Sequence, residues 1–312
     1  MLATLSKTAF AMLAASPPLK RVASQYGMRR PGSFARRFVA GETLEEAIAA
    51  ARALEANGFQ ITLDFLGESV STVEAAAEAT SAYVSMLGAL EAAGIERNIS
   101  VKLTQLGLDI DHATTVDNLR RILDPADRAG FFVRLDMEGS AYTSATLDVF
   151  ETVWTIGYRN VGVVLQSCLR RSESDARRVN AIGARIRLVK GAYREPRAVA
   201  FQKKTEVDAA FVSLMKLLLT DGTFPAIATH DPLMLDATKA FARERSLGAD
   251  RFEFQMLYGV RRDLQAAVRR EGYGLRVYIP FGQEWFPYFM RRLGERPANV
   301  GFVVRSLIAE RT

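Results

Sequence analysis

Arg291, Arg292 and Glu295 fall at helical spacing in the stretch FPYFMRRLGERPAN, within a last helical region that runs to Arg296 before Pro297. Residues on a helix advance by about 100° each, so Glu295, four after Arg291 and three after Arg292, projects between the two arginines. Two guanidinium forks and a carboxylate then share one face. Arginine is shaped to grip a carboxylate through two parallel bonds, and a flanking glutamate can hold one fork in place. The chemistry indicated is capture of a small carboxylic acid. The bland alternative is a solvated face whose ion pair contributes about 0.3–0.5 kcal/mol. Trp285, Phe286, Tyr288 and Phe289 weigh against it, because so much apolar ring surface seldom borders a purely solvated face.

The elements that position this stretch alternate in kind. Leu44–Asn57 has helical periodicity and ends at Gly58, a C-cap signal. Strands are then predicted over Gln60–Phe65, Ile99–Leu103, Phe131–Asp136, Val161–Leu165, Ile186–Val189, Ala226–Thr229, Phe252–Gln255 and Leu275–Ile279. The helices between and after them cover Thr72–Ala93, Asp117–Ala129, Ser144–Ile156, Glu173–Ile182, Glu206–Thr220, Pro232–Arg245, Arg261–Glu271 and Gln283–Leu293. Short strands that each lead into a helix predict an α/β fold, a closed parallel (β/α)8 barrel of the TIM type. The strands read as nearly continuous apolar runs, as strands buried on both faces should.

In such a barrel the working groups sit at the carboxyl ends of the strands. That rule gathers Asp64 and Glu68, Lys102 and Gln105, then Arg134, Asp136 and Glu138. It adds Gln166, Arg187, Lys190, Gly191, Thr229, His230, Asp231, Gln255 and Tyr278. Buried polar groups cost free energy unless paired, so the ring implies a dense internal network or a polar ligand. His230 could serve as metal ligand, general base or cofactor hydrogen-bond donor. Metal is the weakest of the three, since no partner lies at metal spacing. No P-loop, GxGxxG or Ser-His-Asp order is present.

The bulk numbers narrow the class. A chain of 312 residues, 49% hydrophobic, can bury a full core. Its single cysteine, Cys168, excludes an internal disulfide framework and reads as a small buried hydrophobe. Residues 1–41 hold seven basic side chains and no acid; the remaining 34 basic and 35 acidic residues leave the main body near −1. Nucleic-acid binding by that body is therefore not expected. The arm, residues 1–41, is expected to be helical with a break at Pro17-Pro18 and a basic face suited to anionic lipid; residues 42–312 form the barrel. Its composition also matches a mitochondrial targeting peptide. The expected location is thus the bacterial cytoplasm, peripheral on the inner membrane, or the mitochondrial matrix if the arm is a presequence. The apolar run Ala9–Ala15 is too short to span a bilayer.

Nine stretches in register resemble the flavin-dependent proline dehydrogenases, in the monofunctional bacterial form. They are DFLGE, SVKLTQLGLD, RLDMEGS, VLQS, RLVKGAYREP, ATHD, EFQMLYGVR, RVYIPFG and FMRRLGERPAN, which run through most of residues 60–300. The resemblance implies a distorted eight-stranded barrel with FAD held non-covalently at the carboxyl rim. The implied reaction oxidises L-proline to 1-pyrroline-5-carboxylate and passes electrons to a membrane quinone. Carried over by position, Lys102, Arg291 and Arg292 clamp the substrate carboxylate, and Tyr278 and Leu257 pack around its ring. Asp136 orders the pocket, and Glu68 pairs with Arg291 as a gate. Gln166, Arg187, Lys190, Gly191, Thr229, His230, Gln255, Arg292 and Glu295 match flavin or active-site contacts. No residue is assigned as general base.

Two departures follow from the same comparison. Arg194 stands where fused bifunctional members carry an aromatic residue, so adenine stacking from that position is not implied. The aldehyde dehydrogenase half is not in this sequence, so the product is expected to pass to a separate pyrroline-5-carboxylate dehydrogenase. Tyr278, where hydroxyproline-selective relatives carry a smaller residue, favours proline. The rival readings are a folate-reducing flavoenzyme, an aldolase with Lys190 as Schiff-base lysine, and a non-catalytic barrel tethered by its basic arm.

Overall fold

In a computed structural model, the described residues are 28 and 33–295, excepting the side chains at 34 and 293–295. Eight parallel strands close into a barrel in sequence order: β1 (Gln60–Phe65), β2 (Asn98–Val101), β3 (Phe132–Leu135), β4 (Val161–Gln166), β5 (Arg185–Val189), β6 (Ala226–Ala228), β7 (Glu253–Leu257) and β8 (Leu275–Phe281). Closure runs along the whole of β1, from Gln60 opposite Arg276 to Phe65 opposite Phe281. Pro280 lies within β8, beyond the predicted end of that strand. It has no N–H to offer the ladder, but its carbonyl accepts from Ala40 N at 2.9 Å, so the strand continues.

Nine helices are described: α1 (Leu44–Glu55), α2 (Val73–Ala93), α3 (His112–Arg128), α4 (Thr143–Thr155), α5 (Ser172–Ala181), α6 (Lys204–Asp221), α7 (Pro232–Glu244), α8 (Arg262–Arg270) and α9 (Trp285–Glu295). Their starts follow their caps. Thr43 and Glu46 form a reciprocal capping box at α1, and Thr72 caps α2 through Ala75 N. Helix α3 begins five residues before the predicted Asp117 because Asp111 accepts from Thr114 N at 2.8 Å.

Outward-facing strand residues, among them Leu63, Ile99, Val133, Ile186 and Val277, join Leu87, Leu119, Leu147, Met215 and Leu235 of the helices in one buried core. The lumen is polar. Thr62, Asp64, Ser100, Arg134, Arg187, Glu253 and Arg276 are all buried there. At the amino end of the barrel, Arg276 donates to both oxygens of Glu253 at 2.9 Å and to Glu96 at 2.6 Å. Burial alone would push the Glu253 carboxyl up, but this fork outweighs it and holds the group below its usual range. Arg134, expected at the carboxyl rim, instead donates to the carbonyls of Val163 (3.1 Å) and Arg185 (2.7 Å) at this opposite end.

The barrel departs from regularity at its seam. Helix α1, which precedes the first strand, packs against both β1 and β8, the position the helix after β8 would fill in a regular barrel. Helix α9 is thereby displaced. Its Trp285, Phe286, Phe289 and Met290 bury against Ala35, Phe38 and Val39, with the Phe38 and Phe289 rings 6.2 Å apart. Residues 33–41 are thus part of the barrel's packing: Gly282 N donates to Gly41 O at 2.9 Å, and Arg36 pairs with Glu46 at 2.5 Å. The expected helices of the arm around Pro17-Pro18 fall outside the described residues. None of the described helices is long and apolar enough to cross a membrane.

Candidate active site

The carboxyl ends of the strands and the displaced α9 enclose a cavity of about 410 Å³. Lys102, Asp136, Gln166, Arg187, Lys190, Gly191, Thr229, His230, Gln255, Leu257, Tyr278, Arg291 and Arg292 all line it. Residues far apart in the chain and singled out by type or position therefore converge on one space. The side chain of Glu295 lies outside the described residues, as does its expected place between the two arginines. Gln105 does not reach the cavity: it is buried beneath α2, where it accepts from Tyr83 OH at 2.9 Å.

The floor is an ionic network. Lys102 follows β2 and donates to Asp64 of β1 at 2.8 Å, with Asp136 a further 3.9 Å contact. Asp136 follows β3 and accepts from Arg187 at 2.8 Å and from Tyr278 OH at 2.6 Å. Arg187 also donates to Ser100 Oγ at 3.1 Å, and its guanidinium lies 5.5 Å from the centre of the Tyr278 ring. Burial works against the Lys102 charge, but the Asp64 and Asp136 carboxylates outweigh it and raise its pKa. Burial pushes the Asp64 carboxyl up as well, which makes the lysine the firmly charged member of the pair. Burial, reinforced by Asp136 and Asp64, lifts the Tyr278 phenol well above its ordinary range, so it remains a donor.

The walls come from β4 to β7. Gln166 donates through Nε2 to Glu138 O at 2.9 Å, and Gln255 to Glu253 at 2.5 Å. His230 accepts from Leu257 N at 2.9 Å through Nε2, which places the ring proton on Nδ1 and spends the nitrogen that would serve as base or ligand. Lys190 donates to Asp208 of α6 at 2.5 Å and to Asp231 at 2.6 Å. Burial would raise both aspartates, yet Lys190 outweighs it and lowers them. Gly191 has φ of +110°, and a Cβ there would stand 2.4 Å from Cys168 Sγ, so only glycine fits this turn.

The lid belongs to α9. Arg291 donates to Tyr193 OH at 3.0 Å and to Glu68 at 3.3 Å, while Tyr288 and Arg292 also face the cavity. Burial opposes the Arg291 charge, but Glu68 and then Tyr193 outweigh it and raise its pKa. Sequence reasoning passed over Tyr193 and Asp208. Tyr193 stands two residues beyond Gly191 and carried an aromatic signal; the Lys204 to Asp208 spacing on α6 was the only sign of the second. Thr104 donates from both N and Oγ to Glu138 (3.2 and 2.7 Å), which pulls the chain out of β2 after Val101 and starts the turn Leu103–Leu106.

Among the described residues, no group of three or more His, Cys, Asp or Glu is arranged to hold a metal ion. What the geometry offers is three cationic side chains, Lys102, Arg291 and Arg292, lining one cavity with the polar side chains of Gln166, Thr229, His230 and Gln255.

The proline dehydrogenase family model matches residues 47–305. Proline dehydrogenase of Deinococcus radiodurans is 39% identical over 312 residues, 99% of both chains. Proline dehydrogenase 2 of Bacillus subtilis is 37% identical over 298 residues, covering 96% of this chain and 97% of that protein. The bifunctional protein PutA of Escherichia coli is 29% identical over 336 residues, only 25% of its length. A crystal structure of proline utilization A from Bdellovibrio bacteriovorus, inactivated by N-propargylglycine, superposes with a TM-score of 0.78 at 27% identity, covering 83% of this chain and 32% of that one. The chain therefore belongs to the proline dehydrogenase family, oxidoreductases that carry out the first step of proline catabolism.

Proposed function

We propose that the protein is an FAD-dependent enzyme that oxidises L-proline to 1-pyrroline-5-carboxylate at this cavity. The observation that carries the reading is the convergence of Lys102, which follows β2, and Arg291 and Arg292 of α9 on one cavity. Each charge-assisted bond to a carboxylate contributes about 1.5–3 kcal/mol. Gripping that end of an amino acid fixes the orientation of the rest. Tyr278 and Leu257 then supply surface for the ring, and Asp136 holds Tyr278 and Arg187 in register. Glu68, paired with Arg291 at 3.3 Å, gates the cavity. The clustered cations also favour the neutral form of the substrate amine, the form whose lone pair can assist loss of hydride from the adjacent carbon.

The residues present suit a flavin. The Nε–H of Arg187 is buried at the cavity with no hydrogen-bond partner among the described residues. Gly191 lines the same cavity, and its φ of +110° sets the turn that follows Lys190. Gln166, Arg187, Lys190, Gly191, Thr229, His230 and Gln255, with Arg292, would hold the cofactor. When bound, FAD supplies the two-electron acceptor for the hydride and the route onward to a membrane quinone. The product leaves for a separate dehydrogenase, and the acid-free arm provides peripheral contact with the membrane. The aldolase reading finds no support, since Lys190 donates to two carboxylates and is not poised as a free amine.

The test is the visible spectrum of purified protein under anaerobic conditions. A flavin band that bleaches on addition of L-proline is the expected result. A colourless protein that reconstitution with FAD leaves unable to oxidise proline would overturn the reading.

A further inference from the structure

Asp64 does not line the cavity, yet it is the nearest counter-ion of a residue that does. Its side chain is wholly buried on β1, with Oδ1 2.8 Å from Lys102 Nζ. Its other oxygen, Oδ2, is buried with no hydrogen-bond partner among the described residues. A carboxylate removed from water and left half satisfied costs stability, so a position that keeps one with a single ionic partner calls for an explanation in that partner. The other carboxylate near Lys102, Asp136, stands 3.9 Å away, and its oxygens already accept from Arg187 and Tyr278.

We infer that Asp64 is a positioning residue: it holds the Lys102 ammonium on the β2 side of the cavity, where it completes the grip on the substrate carboxylate with Arg291 and Arg292. Without Asp64, the lysine is drawn from its present position toward Asp136, the nearest remaining anion. The inference rests on the carboxylate-clamp reading of Lys102 given above. It adds a residue that touches neither substrate nor cofactor and acts wholly through its neighbour. Because the effect passes through Lys102, removing Asp64 must matter only while Lys102 is present. A merely structural role would give losses that add.

The experiment is a double-mutant cycle in FAD-replete, full-length protein, reading KM and kcat for L-proline and the melting temperature. Asp64→Ala is expected to raise KM about tenfold, equivalent to about 1.4 kcal/mol, with kcat changed less than about threefold. Lys102→Met is expected to raise KM at least as much, and Asp64→Ala added to it to change KM less than about twofold. If Asp64→Ala does not fold, Asp64→Asn, which keeps the shape, carries the same test with the same silence expected in the Lys102→Met background. Losses that add in the double variant, or a KM unmoved by either Asp64 substitution while Lys102→Met raises it, would overturn the inference and leave the clamp intact. A KM unmoved by Lys102→Met would overturn the clamp and the inference together.

Discussion

Tyr278→Phe removes one oxygen from the floor of the site and leaves everything else in place. The ring that stacks near the Arg187 guanidinium at 5.5 Å is retained, and so is the surface offered to the substrate. What is lost is the donor 2.6 Å from Asp136 Oδ2. Since burial keeps the phenol protonated, this is a neutral donor on a charged acceptor, a bond with a net contribution of about 1.5–3 kcal/mol. The deprived oxygen has the Lys102 ammonium 3.9 Å away, while Arg187 holds the other oxygen of the same carboxylate at 2.8 Å. The lysine is expected to close that gap, which moves it off the substrate carboxylate. If the full cost appears in transition-state binding, kcat/KM for proline falls by about 10- to 100-fold. Steady-state dye reduction over a range of proline concentrations measures it, alongside thermal melting of the same preparation. A melting point lowered by several degrees with kcat/KM within threefold of the parent would refute the reasoning, because the bond would then serve the barrel alone.

Gly191→Ala combines a φ of +110° with a Cβ 2.4 Å from Cys168 Sγ, so a destabilisation of about 2–5 kcal/mol is expected from strain and overpacking together. Denaturant unfolding checks it, with flavin retention falling in parallel. The Lys190, Asp208 and Asp231 cluster makes a prediction about acid. Both carboxyls are held below their ordinary range in the folded protein, so their contribution is present above the unfolded value of about 3.9 and is lost as pH falls through the lower folded values. Melting temperature measured between about pH 5 and pH 2 should therefore fall less steeply in Asp208→Asn than in the parent.

Strand number, strand order and the identity of most cavity-lining residues were legible in the sequence, for a physical reason. The period of apolar residues separates helix from strand, and a barrel brings every strand's carboxyl end to one rim. Arg134 shows where that logic stops: a polar strand residue is placed at one end of the lumen or the other by its exact register, and register is a property of the closed sheet. Gln105 was misplaced because the chain leaves β2 early, drawn by the hydrogen bonds from Thr104 to Glu138 across 34 positions. Pairs such as Asp64 with Lys102, or Lys190 with Asp208, join residues whose spacing carries no local signature. The exchange of α1 for the final helix in the barrel wall also left no mark in the periodicity, since both segments read as ordinary amphipathic helices.

That exchange explains why the last helix carries the clamp. Freed from the wall, α9 spends one face on Ala35, Phe38 and Val39 through Trp285, Phe286 and Phe289, each buried aromatic stabilising the contact by about 1.5–3 kcal/mol. Its other face brings Arg291 and Arg292 into the cavity that Lys102 lines. Arg291 and Lys102 repel across that space, and the charge of Arg291 works against that of Lys102. Anchoring on the apolar face holds the cations there in spite of this. An anion entering between them relieves the repulsion and gains the attraction of each, so the site discriminates by charge before it discriminates by shape. A ligand of the same outline lacking the carboxylate would leave the cations opposed to one another and gain only the ring contacts of Tyr278 and Leu257.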